Sequence, residues 1–447
     1  MIRRGTLARA GVAMAIALAL AGCETIGDWL GPGEDPPLPG ERISVLSLEQ
    51  ALEADPRIAD VPVLLPAPYV NAAWAQPGGY PDNALHHLEA ADGLALAWSQ
   101  AAGAGSSSDG RLTAPPIVAD GRIFVLDAEG TVHAFDADVG TRLWSVDLTQ
   151  EGEDREEGFG GGLAYDMGGL FAATGFGTVA ALDAQSGTRL WVYEGGTPFR
   201  AAPSALGGRV FVITFDNQAL ALAQADGSVL WTHTGIQESA GILGSPSAAV
   251  SGGTVVVPYS SGELFALKVE NGQEIWNDTL TRVLSNTSLA DISDIAGRPV
   301  VDRDRVFAIS HAGRMVAIDL RTGERVWTRT ISGVQMPWVA GDFVFVVSTS
   351  AEVVALSRRD GRIRWVTQLP RFRNEEARRG PIAWAGPVLV GDRLLLASST
   401  GDALSISPYD GQIIGATDIP EGTFIAPIVA NRTVYFLTDD AELLAFR

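Results

Sequence analysis

The chain has 447 residues and a net charge of −21, from 53 acidic against 32 basic side chains. That balance argues against a nucleic-acid partner, because affinity for phosphate backbones depends on clustered Lys and Arg, and against broad adsorption to anionic lipid. A single cysteine excludes an intrachain disulfide and any cluster of thiolate ligands, so stability must come from an apolar core.

The chain opens with Arg3, Arg4 and Arg9, runs on as apolar residues from Ala10 to Leu20, and reaches Ala21 and Gly22 just before Cys23. A basic start, an apolar stretch and a small-residue cleavage site are the layout of a secretory signal over residues 1–22. The stretch is shorter than the about 20 apolar residues that a spanning helix needs. Leu20-Ala21-Gly22-Cys23 resembles the bacterial lipobox, in which the thiol receives a diacylglyceryl group before cleavage. Cys23 is therefore the expected lipidation site, and the alternative is an ordinary signal with an incidental cysteine. Acyl chains contribute about 0.8 kcal/mol per buried methylene, and stable anchoring takes more than one chain. Glu24, rather than Asp, after the cysteine resembles the sorting pattern for the outer membrane, which places the mature chain on its periplasmic face.

Residues 23–85 read as a tether and N-terminal extension. Gly31-Pro32-Gly33 and the following Glu34-Asp35-Pro36-Pro37 resist both helix and ladder. Residues 43–55 read as a short helix, and from there to about Asn83 the Pro and Ala content gives little regular signal. His86 and His87 are adjacent, and adjacent strand residues point to opposite faces, so a surface or strand-edge pair is expected rather than a zinc site.

Residues 86–447 repeat. Gly140-Thr141-Arg142-Leu143-Trp144 returns as Gly187-Thr188-Arg189-Leu190-Trp191, and with drift as Gly227-Ser228-Val229-Leu230-Trp231, Gly272-Gln273-Glu274-Ile275-Trp276, Gly323-Glu324-Arg325-Val326-Trp327, Gly361-Arg362-Ile363-Arg364-Trp365 and Gly411-Gln412-Ile413-Ile414-Gly415. With Trp98, the repeats end at positions 98, 144, 191, 231, 276, 327, 365 and 415, at intervals of 38 to 51 residues. Short strands on a period of about 40–50 residues signal a β-propeller. Within each unit two β-branched or aromatic runs precede a glycine turn and a strand ending in Trp, which is a meander of antiparallel strands. The recurring Trp positions are expected at blade contacts.

The last copy stops after Glu442-Leu443-Leu444-Ala445-Phe446-Arg447, before its Gly and Trp strand, while Gly93-Leu94-Ala95-Leu96-Ala97-Trp98 is such a strand with no preceding copy. Pairing the first strand with the last blade closes the ring and hides a sheet edge. The expected architecture is all-β: an eight-bladed propeller of four-stranded antiparallel blades.

Two segments stand apart. The run Gly158-Phe159-Gly160-Gly161-Gly162-Leu163 follows an acidic stretch and lacks a basic residue for phosphate, so a mobile inter-blade loop is expected. The charged stretch from Arg371 to Arg379 reads as a solvated insertion, with a second contact surface as the alternative.

Strands that end Ala-Leu-Asp before a Gly-Thr-Arg-Leu-Trp turn resemble the repeats of the pyrroloquinoline-quinone dehydrogenases, and this likeness speaks for fold rather than activity. With the lipobox, the tether and a ring without insertions, the chain resembles the BamB family, lipoproteins of the outer-membrane β-barrel assembly machinery. The resemblance implies a non-catalytic scaffold that binds the periplasmic domains of BamA and other assembly-complex subunits, and that helps deliver or fold nascent outer-membrane proteins. It also implies partner-binding residues: Phe199 and Arg200 in the Pro198-Phe199-Arg200 segment, and Asp294 in Ile292-Ser293-Asp294. Phe199 stands where the family often has Leu, and Ala296 where a second acidic residue is expected. A supporting role for Arg200 and Asp294 in their loops is the alternative. No cofactor is expected. A quinone dehydrogenase of this kind would need oxygen ligands for calcium and typically a cysteine pair, and the one cysteine here is the lipidation site. A cell-wall-binding propeller is the remaining alternative.

Overall fold

In residues 117–147 the runs Ile117–Ala119, Arg122–Leu126 and Thr131–Asp136 are almost wholly buried, while Arg142–Asp147 is exposed or half-buried throughout. Inner strands packed on both faces tolerate continuous apolar runs, and an outer strand does not need them. The four pair in chain order as one antiparallel sheet. The computed structural model describes residues 52–447 other than 109, 151, 156–157, 159, 239–245 and 282–293. Cys23, the tether and nearly all of the expected helix at 43–55 lie outside the described residues.

The same sheet recurs around a ring, giving eight four-stranded blades. We number them from the one at 117–147; blade two spans 161–194, three 204–234, four 249–279, five 300–329, six 338–368 and seven 384–418. Blade eight takes three strands from the C-terminus and its fourth, Leu96–Ala101, from the other end of the chain. Ser99 faces Leu444 and Ala101 faces Glu442, and Ala95 and Arg447 exchange backbone hydrogen bonds at 2.9 Å. The closure read from the sequence is the one observed.

Every blade carries a one-residue register slip opposite its third strand, at the residue just before the repeat-ending position: Ala97, Leu143, Leu190, Leu230, Ile275, Val326, Arg364 and Ile414. A bulge re-aims the side chain that follows it. It leaves the bulged Leu143, Leu190 and Leu230 exposed on the rim and sends Trp144, Trp191 and Trp231 toward the next blade. There each indole N–H donates to a carbonyl of the neighbour, Trp191 to Gln224 at 2.8 Å, Trp231 to Val269 at 2.9 Å and Trp276 to Leu320 at 2.7 Å. Blade seven has Gly415 in place of that Trp and makes no such bond, and the Trp98 indole N–H of blade eight is buried without a partner.

The glycine-rich run is not a mobile loop along its whole length. Gly161–Asp166 forms the inner strand of blade two, and a β-carbon on Gly161, at φ +77°, would stand 2.0 Å from the Ala173 carbonyl oxygen. Glycine is required there by close packing of two strands. Phe372–Asn374 and Arg379–Pro381 pair as an exposed two-stranded ribbon, so the charged stretch is a solvated insertion with regular structure.

Candidate functional site

The segment before the first blade has little regular structure beyond a 3-10 turn at Pro56–Ile58, as its composition suggests, yet it is the part of the chain that touches most of the ring. Asp55 N–H bonds Ile363 O on the outer strand of blade six, and residues 63–88 then pass through the hub. Asn71 holds blade eight, its side chain donating to Val429 O at 2.8 Å and its carbonyl accepting from Asn431 N. Trp74 exchanges backbone bonds with Val118 of blade one, and Ala75 O accepts from Tyr165 N of blade two. The Gln76 amide donates to Ala205 O and accepts from Ala205 N in blade three, both at 3.0 Å. Pro81 O and Asp82 O accept from Val250 and Val301 in blades four and five. His86 O accepts from the Trp338 indole of blade six, and Leu88 bonds Leu389 of blade seven. This strap satisfies backbone groups on the inner strands of seven blades and the Trp338 indole of the remaining one, blade six, groups that a bare hub would leave to water. His87, expected at the surface, is 1 % exposed within it, with Nδ1 2.8 Å from Pro66 O. The hydrogen-bonding need of the hub, not strand alternation, decides its place.

Above the strap, on the rim where chain passes from one blade to the next, lies a cavity of about 230 Å³. Trp74 and Pro77 of the strap line it, with Trp338, Met336 and Ile425 along the wall. Arg200 and Arg298 also line it, which makes a local cationic site in a strongly acidic chain.

Arg200 and Asp294 are brought together, Nη2 to Oδ2 3.6 Å, although 94 positions separate them. Asp294 is buried, and its carbonyl accepts from His311 N. The Arg200 guanidinium also lies 4.9 Å from the centroid of Phe215, a cation–π contact. Burial lowers the pKa of Arg200 and the Asp294 carboxylate opposes that shift. Phe199 is placed differently: its ring, 1 % exposed, packs with Phe171, Val179 and Val212 between blades two and three, while its N–H bonds Thr174 O. It fixes the loop from beneath and offers no surface in this conformation. Ile292 and Ser293 lie outside the described residues.

Arg298 is the residue that sequence reasoning passed over. Its Nε donates to Ser247 Oγ at 3.1 Å, and desolvation lowers its pKa to about 10, with no carboxylate acting against the shift. The signal was available as Gly297-Arg298-Pro299, a basic residue immediately before an inner strand.

The family model described as outer membrane protein assembly factor BamB matches residues 78–154 and 128–367. The chain belongs to the BamB family. BamB of Vibrio cholerae serotype O1 is 35 % identical over 235 residues, which cover 53 % of this chain and 60 % of that one. The chain thus spans little more than half the length of the curated BamB relatives it matches. The crystal structure of BamB from Moraxella catarrhalis superposes with a TM-score of 0.66 at 20 % identity, covering 79 % of this chain and all of that one. A quinohemoprotein alcohol dehydrogenase from Comamonas testosteroni superposes at 0.64 and 13 % identity, covering 84 % and 80 %. Both likenesses speak for the propeller alone. A quinone with its cation does not fit this BamB-type hub: among the described residues no group of three His, Cys, Asp or Glu could hold the ion, and the strap occupies the axis with Trp74 and Gln76.

Proposed function

We propose that this BamB-family chain is a non-catalytic scaffold of outer-membrane protein assembly, held to the periplasmic face of the outer membrane by lipid on Cys23. Its partners are the periplasmic domains of BamA and other subunits of the assembly complex, and through them nascent outer-membrane proteins. The docking rim is the one that carries Arg200 and Asp294, with Phe199 as the buried support of the Arg200 loop. The observation that carries this reading is the Arg200–Asp294 pair, two chain-distant residues joined at one rim. An arginine fork so placed can exchange its partner for a carboxylate or carbonyl of an incoming protein.

Copurification from native outer membranes tests it. The full chain should bring down BamA, and Arg200→Glu, which sets a second negative charge beside Asp294, should reduce the recovery at least tenfold. Arg200→Lys should recover part of it. BamA recovered unchanged with a cooperatively folded Arg200→Glu variant removes these residues from the interface. Activity gained with added quinone and calcium would favour a dehydrogenase instead, and cosedimentation with peptidoglycan a cell-wall binder.

A further inference from the structure

Arg298 presents an imbalance that the scaffold reading leaves without a purpose. Its side chain is half-buried at the wall of the axial cavity, and among the described residues its only hydrogen bond runs from Nε to Ser247 Oγ. The two terminal nitrogens of the guanidinium make none with the described residues, and they belong to a side chain that lines open space. A partly desolvated cation without a counter-charge is costly, because the lost hydration is not repaid by a partner. Arg200 stands on the same cavity and adds positive charge while already engaged with Asp294.

The remaining wall is apolar. Trp74 and Trp338 stack with centroids 6.4 Å apart, and Met336 and Ile425 continue the surface. At about 230 Å³ the cavity lies below the roughly 300–1,000 Å³ of ordinary small-molecule sites, so it suits a group the size of a single side chain. A planar fork with two free donors matches a carboxylate in bidentate fashion, and a phosphate would ask for donors on several sides that this wall lacks.

We propose that the axial cavity is a binding site for a carboxylate borne on an apolar group of residue size, with Arg298 gripping the carboxylate and the Trp74–Trp338 wall holding the apolar part. That chemistry is shared by a small free acid and by the end of a peptide chain. The proposal does not rest on docking to BamA, because it is read by ligand titration on the chain alone.

The full chain in detergent is titrated calorimetrically with N-acetyl-phenylalanine and with its neutral amide. The acid should bind at least tenfold more tightly than the amide, and Arg298→Met should bring the acid down to the level of the amide. Where Arg298→Met does not melt cooperatively, Ala296→Leu serves, since Ala296 lines the cavity and the larger side chain narrows it while leaving the cation in the chain; it should also weaken the acid at least tenfold. A hexapeptide ending in phenylalanine that binds more tightly than the amino acid assigns the site to chain ends, and weaker or equal binding assigns it to free acids. No saturable binding of either acid up to its solubility, an amide as good as the acid, or a folded Arg298→Met with unchanged affinity would overturn the proposal.

Discussion

The ring of Trp144 lies over the α-carbon of Gly187 in the next blade, so that a β-carbon there would stand 2.8 Å from Cε3. The relationship repeats from Trp98 on Gly140 through Trp365 on Gly411. The turn glycine is thus required twice, once by its φ of +74° and once by the ring above it. Gly187→Ala should cost about 1–2 kcal/mol for the left-handed backbone and a further about 1–3 kcal/mol for crowding the indole. Gly121→Ala is the control, because φ is +71° there and nothing lies within 4 Å. It should show the first cost alone. Equal losses for the two variants in denaturant unfolding would remove the ring contact from the account.

The repeat made most of the fold legible, because Trp, Gly and the apolar runs recur wherever blade packing recurs. The first strand could be assigned to the last blade because Gly93–Trp98 matches the Gly and Trp strand that the last copy lacks. The bulge was not legible, since Leu143 or Leu190 looks like any core residue until the register slip turns it out to solvent. The strap was hidden for a different reason. Its bonds run from backbone groups and from Asn71 and Gln76 to unlike positions in eight blades, so no period marks it. At the rim, Arg200 and Asp294 were legible as a pair through resemblance. The apolar character of Phe199 could not say whether the ring faces a partner or the core, and the space between blades two and three decides it.

The strap should behave as part of the propeller core. Trp74 is 2 % exposed and stacked on Trp338, so Trp74→Ala should cost about 3–5 kcal/mol. Gln76→Ala leaves the Ala205 N–H and C=O of blade three without their partners and should cost about 1–3 kcal/mol per stranded group. Native-state hydrogen exchange gives the sharper reading. The Val118 amide, bonded to Trp74 O, should exchange only with global unfolding; exchange at the rate of a free tail would show the strap to be detachable.

Blades five and six are joined by a buried ion pair. Arg358 Nε donates to Asp302 Oδ2 and its Nη2 to Asp302 O, both at 2.9 Å, with Asp302 3 % exposed. Removing Arg358 leaves the buried carboxylate, among the described residues, only the longer contacts to Arg303 at 3.6 Å and His86 at 3.8 Å, so Arg358→Met should cost up to about 3–5 kcal/mol. Asp302→Asn in the same chain should restore part of that loss. A double variant no more stable than the additive sum of the two single losses would show that the pair is not coupled.

Acid should loosen blade one through Asp127. Burial pushes its carboxyl pKa up, but the hydrogen bond from His133 Nε2 at 2.9 Å and the amides of Ala104 and Thr131 outweigh it, and the net shift is downward. A carboxylate whose pKa is depressed by folding contributes stability that is fully present above its ordinary 3.8 and is lost as pH falls through the folded value. His133 also reaches Ser145 Oγ at 2.8 Å, so the carboxylate organises the third and fourth strands of blade one together. Asp127→Asn should therefore lower the melting temperature at pH 7 and flatten its further decline toward pH 3 relative to the parent chain. If the two chains instead lose stability in parallel over that interval, the acid sensitivity belongs to other carboxylates and Asp127 holds the blade by hydrogen bonding alone.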